Sequence, residues 1–313
     1  MLVGGIPLFL GGGAPTFAGW ALFGFGYRPQ GATSVTNTVS RTGVVANDTT
    51  GVGTARYGVA AAGFGGDKAI FGYGYNASDT AVSMTNKVSN EGVVANDTTG
   101  VGTARGFVSA AGYGTDKAIF GYGGASYFTS TAGTNKVSNT GVVAGDVSRV
   151  GTATTRRAAA AYGTDKAIFG FGYDTTVGAT SITNKVSNTG VVANDTTGVG
   201  TARSDLAAAG FGADKAIFIA GQLDSSNYVS TTNLVSNTGV VAANASGVTS
   251  TLAFLAAAGY GTDKAILGFG HATNAVTYTN YTHLISNTGV VSSSVNSGVG
   301  TARSQLAAAS FGG

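Results

Sequence analysis

"YGTDKAIFGYG", Tyr113 to Gly123, returns almost letter for letter as "YGTDKAIFGFG" from Tyr162 to Gly172, and this recurrence decides the reading of the whole chain. Anchoring on Asp-Lys-Ala-Ile places Asp67, Asp116, Asp165, Asp214 and Asp263 at a constant interval of 49 residues. A degenerate copy, "GWALFGFG" from Gly19 to Gly26, lacks the Asp and the Lys. A second anchor, Val-Ser-x-x-Gly-Val-Val, begins at Val39, Val88, Val137, Val186 and Val235, then as Ile285. The chain therefore holds six copies of one unit, and internal repetition outranks every other sequence signal.

Each copy reads as four short strands. "RSDLAAAGFG" (Arg203 to Gly212) is a strand of small residues, and "KAIFGYG" (Lys117 to Gly123) is an apolar strand ended by glycines. "SITNKVSNTGVV" (Ser181 to Val192) alternates polar and apolar residues. "VVANDTTGVGTAR" (Val191 to Arg203) is a fourth strand rich in turn residues. Alanine runs such as "LAAAGFG" are too short and too broken by glycine to be helices.

Four strands in about 49 residues is the period of a β-propeller blade, so the expected fold is all-β, a six-bladed β-propeller of four-stranded antiparallel blades. Small first strands suit a crowded inner position, and the second-strand Phe and Tyr fill the space between blades. "WALFGFG" has no small-residue strand ahead of it, whereas the chain ends in one, "TARSQLAAASFGG", Thr301 to Gly313. Residues 301–313 are expected to complete the blade begun at 19–26, closing the ring and removing exposed edges. The propeller then spans 19–313. The apolar stretch 1–18, "MLVGGIPLFLGGGAPTFA", has no basic start and no run long enough to span a bilayer. It reads as a Gly-rich arm, able to dock on a neighbouring protein, rather than a signal peptide.

Composition narrows the function classes. The 313 residues include 52 Gly, 3 Pro and no Cys, with 10% charged and 43% hydrophobic residues and a net charge of +3. That hydrophobic content supports a core rather than disorder. The 17 basic residues are dispersed, which argues against nucleic-acid binding. Without Cys there are no disulfides, thiolate metal sites or thiol nucleophiles.

No catalytic, metal or cofactor constellation is expected. Asp67, Asp116, Asp165, Asp214 and Asp263, each beside a Lys, keep constant spacing, as a structural turn does. The Asp caps neighbouring N–H groups, and the Lys projects outward or pairs with a carboxylate. "GVGTAR" contains Gly-x-Gly but precedes no helix, so it is no phosphate loop. His271 and His283, the only histidines, read as surface residues. "NDTTG" at Asn47, Asn96 and Asn194 reads as Asx-turn chemistry rather than a calcium loop or a glycan acceptor.

Variation among the copies carries more information than repetition. The segments joining strands two and three differ in every copy and would gather on one propeller face. They carry Tyr27, Arg28, Tyr127, Phe128, Tyr228, His271, Tyr278 and Tyr281 amid Ser, Thr and Asn, the chemistry of a recognition surface. Unconstrained drift of loops would give a similar pattern.

The unit resembles a Kelch-type repeat, a family with an Arg before the first strand, a Gly-Gly pair after the second and a Trp in the third. Arg56, Arg105, Arg203 and Arg303 occupy the Arg position, with Thr154 and Leu252 in the other two copies. Gly-Tyr-Gly or Gly-Phe-Gly replaces Gly-Gly, and the third-strand aromatic is missing. The wording "TNKVSNTGVV…TGVGTAR" also resembles repeats of bacteriophage virion and tail-fibre proteins. This second resemblance implies a non-enzymatic virion component for adhesion or surface decoration. Its partners would be other virion proteins, through the 1–18 arm, and a host cell-surface glycan, with no nucleic acid and no membrane span. A lectin-like propeller outside a virion is the alternative. A Kelch-type oxidase or glycan-processing enzyme is disfavoured by the absence of Cys and the scarcity of His, and a consensus-designed propeller by the irregular loops.

Overall fold

A group of three antiparallel strands recurs six times in the computed structural model, which describes residues 19–148, 150–247, 250–272, 277–293 and 298–312. The arm 1–18 lies outside the described residues. Among the described residues the fold is all-β, with no helix.

In each sheet the order is first, second, third strand. Ala60–Phe64, Lys68–Gly72 and Thr85–Val88 are typical. One sheet joins distant parts of the chain. Ala307–Phe311 pairs with Trp20–Gly24, which pairs in turn with Thr36–Val39. First strands also lie against one another, Ala60–Phe64 contacting both Ser109–Tyr113 and Ala307–Phe311. Their small side chains permit this approach: a Cβ on Gly63 would stand 3.3 Å from the Ser310 carbonyl oxygen. All six first strands line one cavity of about 820 Å³, open to solvent, here called the alanine cavity.

The expected fourth strand is not a regular strand. The return segment meets the third strand only at isolated bridges, such as Val88 with Val94 and Thr85 with Thr98. Side chains take over between them. Asn86 donates through Nδ2 to the Ala95 carbonyl (3.0 Å) and Asp97 Oδ1 (2.9 Å). Asp97 Oδ2 accepts from the amide (2.9 Å) and hydroxyl (2.7 Å) of Thr54, in the segment one repeat earlier. Asp146 with Thr103, Asp195 with Thr152 and Asp48 with Thr301 repeat this clasp. The Asp of the Asn-Asp-Thr-Thr-Gly sequence is thus spent on the frame.

Neighbouring sheets meet through apolar second strands and a buried guanidinium. Phe71, Phe120, Phe169 and Phe218 are buried, each against the sheet before it. The glycine ending the preceding second strand makes room: a Cβ on Gly72 would lie 2.8 Å from Phe120 Cζ. Next to that glycine stands an aromatic in the left-handed conformation, namely Phe25, Tyr73, Tyr122, Phe171 or Phe269. An Arg of the following sheet stacks on its ring, with Arg56 over Phe25 at 4.7 Å and Arg105 over Tyr73 at 5.0 Å. Arg56 donates to the carbonyls of Tyr73 and Met84 and to Asn86 Oδ1. Arg303 donates to the Phe25 carbonyl (2.9 Å) while stacking on Phe269. Burial lowers the Arg56, Arg203 and Arg303 guanidiniums to about 10, which still leaves them charged at neutral pH.

The two copies that lack Arg at the expected position solve the problem differently. In the copy with Thr154, Arg157 supplies the guanidinium from three residues on. It stacks on Tyr122 at 4.1 Å and donates to Asn184 Oδ1 (2.8 Å) and the Ile182 carbonyl (3.1 Å). In the copy with Leu252, the whole set has changed. The aromatic becomes Ala220, the Asn becomes His283, and the Gly and Phe become Ile219 and Leu267; Ile219, Ala220, Leu252 and Leu267 form one aliphatic cluster. His283 is therefore fully buried rather than superficial, its Nδ1 3.0 Å from the Ser292 carbonyl oxygen.

This exchange as a unit predicts energetic coupling. Phe171→Ala alone should cost about 3–5 kcal/mol through the cavity it leaves. Combining it with Arg203→Leu should cost less than the two single changes together, by about 1–2 kcal/mol. Denaturant melts of the four proteins measure this, and strict additivity would contradict the pairing.

Candidate functional site

Two residues before each first strand begins lies a residue in the left-handed conformation: Gly58, Phe107, Arg156, Asp205, Phe254 and Gln305, with φ between 51° and 59°. Five of the six are not glycine, and each such backbone costs about 1–3 kcal/mol unless its surroundings impose it. Backbone hydrogen bonds between copies impose it. Phe107 N–H donates to the Gly58 carbonyl, Arg156 to Phe107, Asp205 to Arg156, Phe254 to Asp205, Gln305 to Phe254 and Gly58 to Gln305, over 2.8–3.3 Å. The six residues, with the Val, Leu or Arg157 side chain that follows each, line a second, solvent-open cavity of about 390 Å³ including the space at its mouth, here called the mixed cavity.

Phe107 and Phe254 line it, and further aromatic rings pack against these two. Tyr27, Tyr57, Tyr75, Phe107 and Tyr127 form a chain of ring contacts at 5.0–5.7 Å, with Tyr75 and Tyr127 stacked nearly parallel. A second group runs from Tyr228 to Phe254 (6.5 Å), His271 (5.4 Å) and Tyr278 (4.5 Å). The Tyr278 hydroxyl is held above its ordinary value by burial and then by the Tyr27 and Tyr127 hydroxyls. His271 is buried, contrary to the surface reading, because its ring is wedged between Phe254 and Tyr278. Burial pushes its imidazole below the usual range.

One ion pair lies among these rings. The buried Asp205 accepts from Ser204 Oγ (2.7 Å) and Gln222 Nε2 (2.8 Å), and its Oδ2 is 3.8 Å from Arg156 Nη1. Burial raises its carboxyl to about 6 against the opposing pull of Arg156. The Arg156 guanidinium faces the rings of Phe107 (5.3 Å), Tyr127 (5.5 Å) and Tyr173 (5.7 Å). Planar faces with a fork of donors and a carboxylate between them can hold a polar ligand that also has an apolar face.

Of the residues expected from the variable segments, Tyr27, Tyr127, Tyr228, His271 and Tyr278 join these groups of rings. Phe128, 88% exposed, Tyr281, 43% exposed, and Arg28 make no ring contact with them. Asp67, Asp116, Asp165, Asp214 and Asp263 lie at the other end of the first strands. There Lys117 Nζ meets Asp116 Oδ1 at 2.7 Å, and the Asp116 main-chain carbonyl accepts from Gly65 N–H of the neighbouring sheet, also at 2.7 Å. Among the described residues no group of three or more His, Asp or Glu could hold a metal ion, and no helix is long and apolar enough to cross a membrane.

Phe107, Arg156, Asp205, Phe254 and Gln305 escape a reading confined to long loops. Their signal is nevertheless present: the second residue after the Arg position differs in kind between copies, as in "ARGFV", "ARSDL" and "ARSQL". Neither protein-family models nor curated proteins give a match to the chain.

The raised carboxyl has a pH signature. A group with a raised folded value contributes most below its unfolded value, near 3.8, and loses that contribution as pH rises through about 6. His271 and His283, lowered by burial, act in the opposite sense, losing their contribution as pH falls through 6.5. The effect of Asp205 must therefore be read as a difference. The thermal midpoint of the wild type relative to Asp205→Asn should rise steadily from pH 7 to pH 5, and a difference independent of pH would be incompatible with a buried, titrating Asp205.

Proposed function

We propose that the chain is a six-bladed β-propeller that serves as a non-enzymatic adhesion component of a bacteriophage virion and recognises a cell-surface glycan in the mixed cavity. The observation that carries the binding reading is broken symmetry. Six residues share one strained backbone conformation and one set of hydrogen bonds, yet their side chains are Gly, Phe, Arg, Asp, Phe and Gln. A frame needs no such variety, whereas a recognition site does. The Tyr127 and Tyr173 rings beside Arg156 supply apolar faces for sugar rings and hydroxyls for their rims.

Ring closure is supported by the pairing of Trp20–Gly24 with Ala307–Phe311 and by the Thr301 to Asp48 clasp. The virion setting rests on the resemblance of the repeats, with residues 1–18 as the docking arm. Two measurements test the reading. On a glycan array the protein should bind a bacterial surface polysaccharide, with Tyr127→Ala reducing the signal at least tenfold; no glycan signal would end the recognition reading. Mass spectrometry of purified virions should find the chain, and its absence there would leave a lectin-like propeller outside a virion. Removing residues 301–313 should expose the edge of Trp20–Gly24 and cause self-association in sedimentation; a monomer of unchanged stability would exclude closure by the chain ends.

A further inference from the structure

Five guanidiniums of this chain, those of Arg56, Arg105, Arg157, Arg203 and Arg303, are spent on backbone carbonyls and side chains of the frame. Arg156 is not. Its ion-pair partner, Asp205 Oδ2, is 3.8 Å away, too far for a hydrogen bond. Among the described residues it makes none, and its side chain remains 18% exposed at the mixed cavity. Three aromatic faces fix the guanidinium in place, and the left-handed backbone of Arg156 sets its direction. Asp205 competes weakly for it, because Oδ2, the oxygen paired with Arg156, already accepts from Ser204 and Gln222.

We infer that Arg156 is the receptor for a carboxylate, and that the ligand class is an acidic saccharide, a uronic or sialic acid residue. This rests on the glycan reading of the mixed cavity and specifies its chemistry. The two terminal nitrogens of Arg156 meet the two carboxylate oxygens in parallel, a geometry that a planar fork favours over a point charge. The sugar ring lies against Tyr127 and Phe107. A neutral hexose leaves the guanidinium without an acceptor, and the unpaired donor is what discriminates.

Calorimetric titration of the full chain with methyl glucuronide, N-acetylneuraminic acid, methyl glucoside and inorganic sulfate tests this. At least one acidic sugar should bind ten or more times tighter than the neutral glucoside. Arg156→Gln should erase that preference. Equal affinity of acidic and neutral sugars for the wild type overturns the carboxylate assignment and leaves the glycan reading standing. Sulfate binding as tightly as the best acidic sugar also overturns it, as does failure of every saccharide, which removes the glycan reading too. The wild-type comparison decides the matter even where Arg156→Gln does not fold.

Discussion

A positive charge buried between two sheets is the constraint around which the rest of this molecule is arranged. Each structural guanidinium hydrogen-bonds within its own sheet and stacks on an aromatic ring of the sheet before. Taking such a charge from water is expensive, and it is tolerated only when the surroundings satisfy its donors. That requirement explains several otherwise separate repeats. Gly-aromatic-Gly presents a ring and free carbonyls, the third-strand Asn offers an acceptor, and the Asp of the return segment adds a counter-charge felt at Arg56. The Asp97 carboxyl shows the balance: burial alone would raise it, but bonds from Thr54 and Asn86 and the Arg56 charge hold it below the usual range.

The interface carrying Leu252 shows that these positions form one device. Where the Arg is absent, the aromatic, the Asn, the Gly and the Phe have changed as well, to Ala220, His283, Ile219 and Leu267. A lone Leu would leave the third-strand Asn oxygen without its guanidinium, and a lone Ala beneath a guanidinium would leave a void. Changed together, they give a dry aliphatic contact that closes without charge.

How much of this is legible in the sequence differs by element. The interval between Asp67 and Asp263 and the Gly-ended "KAIFG" runs specify the strands and their number, because packing repeats with the chain. The guanidinium of Arg157 is not legible. "TATTRR" offers two arginines off register, and only the position of the Tyr122 ring selects between them. The burial of His283 follows from its alignment with Asn86 and Asn184, yet a lone imidazole in a Ser/Thr-rich segment reads as superficial. Least legible is the left-handed backbone of Phe107, Arg156, Asp205, Phe254 and Gln305. Nothing in those residue types favours positive φ; the conformation comes from hydrogen bonds to neighbouring copies.

That last feature separates backbone from side chain in an unusual way. Because neighbours hold each backbone in place, the left-handed conformation at these six positions does not depend on residue identity. Side chains there can diverge independently after repeat duplication while the frame stays uniform. The mixture also removes rotational degeneracy. Around six equivalent side chains a small ligand would have six interchangeable settings, whereas around Gly, Phe, Arg, Asp, Phe and Gln it has one. On the proposed reading, a frame of near-identical copies would thereby hold one ligand in one orientation.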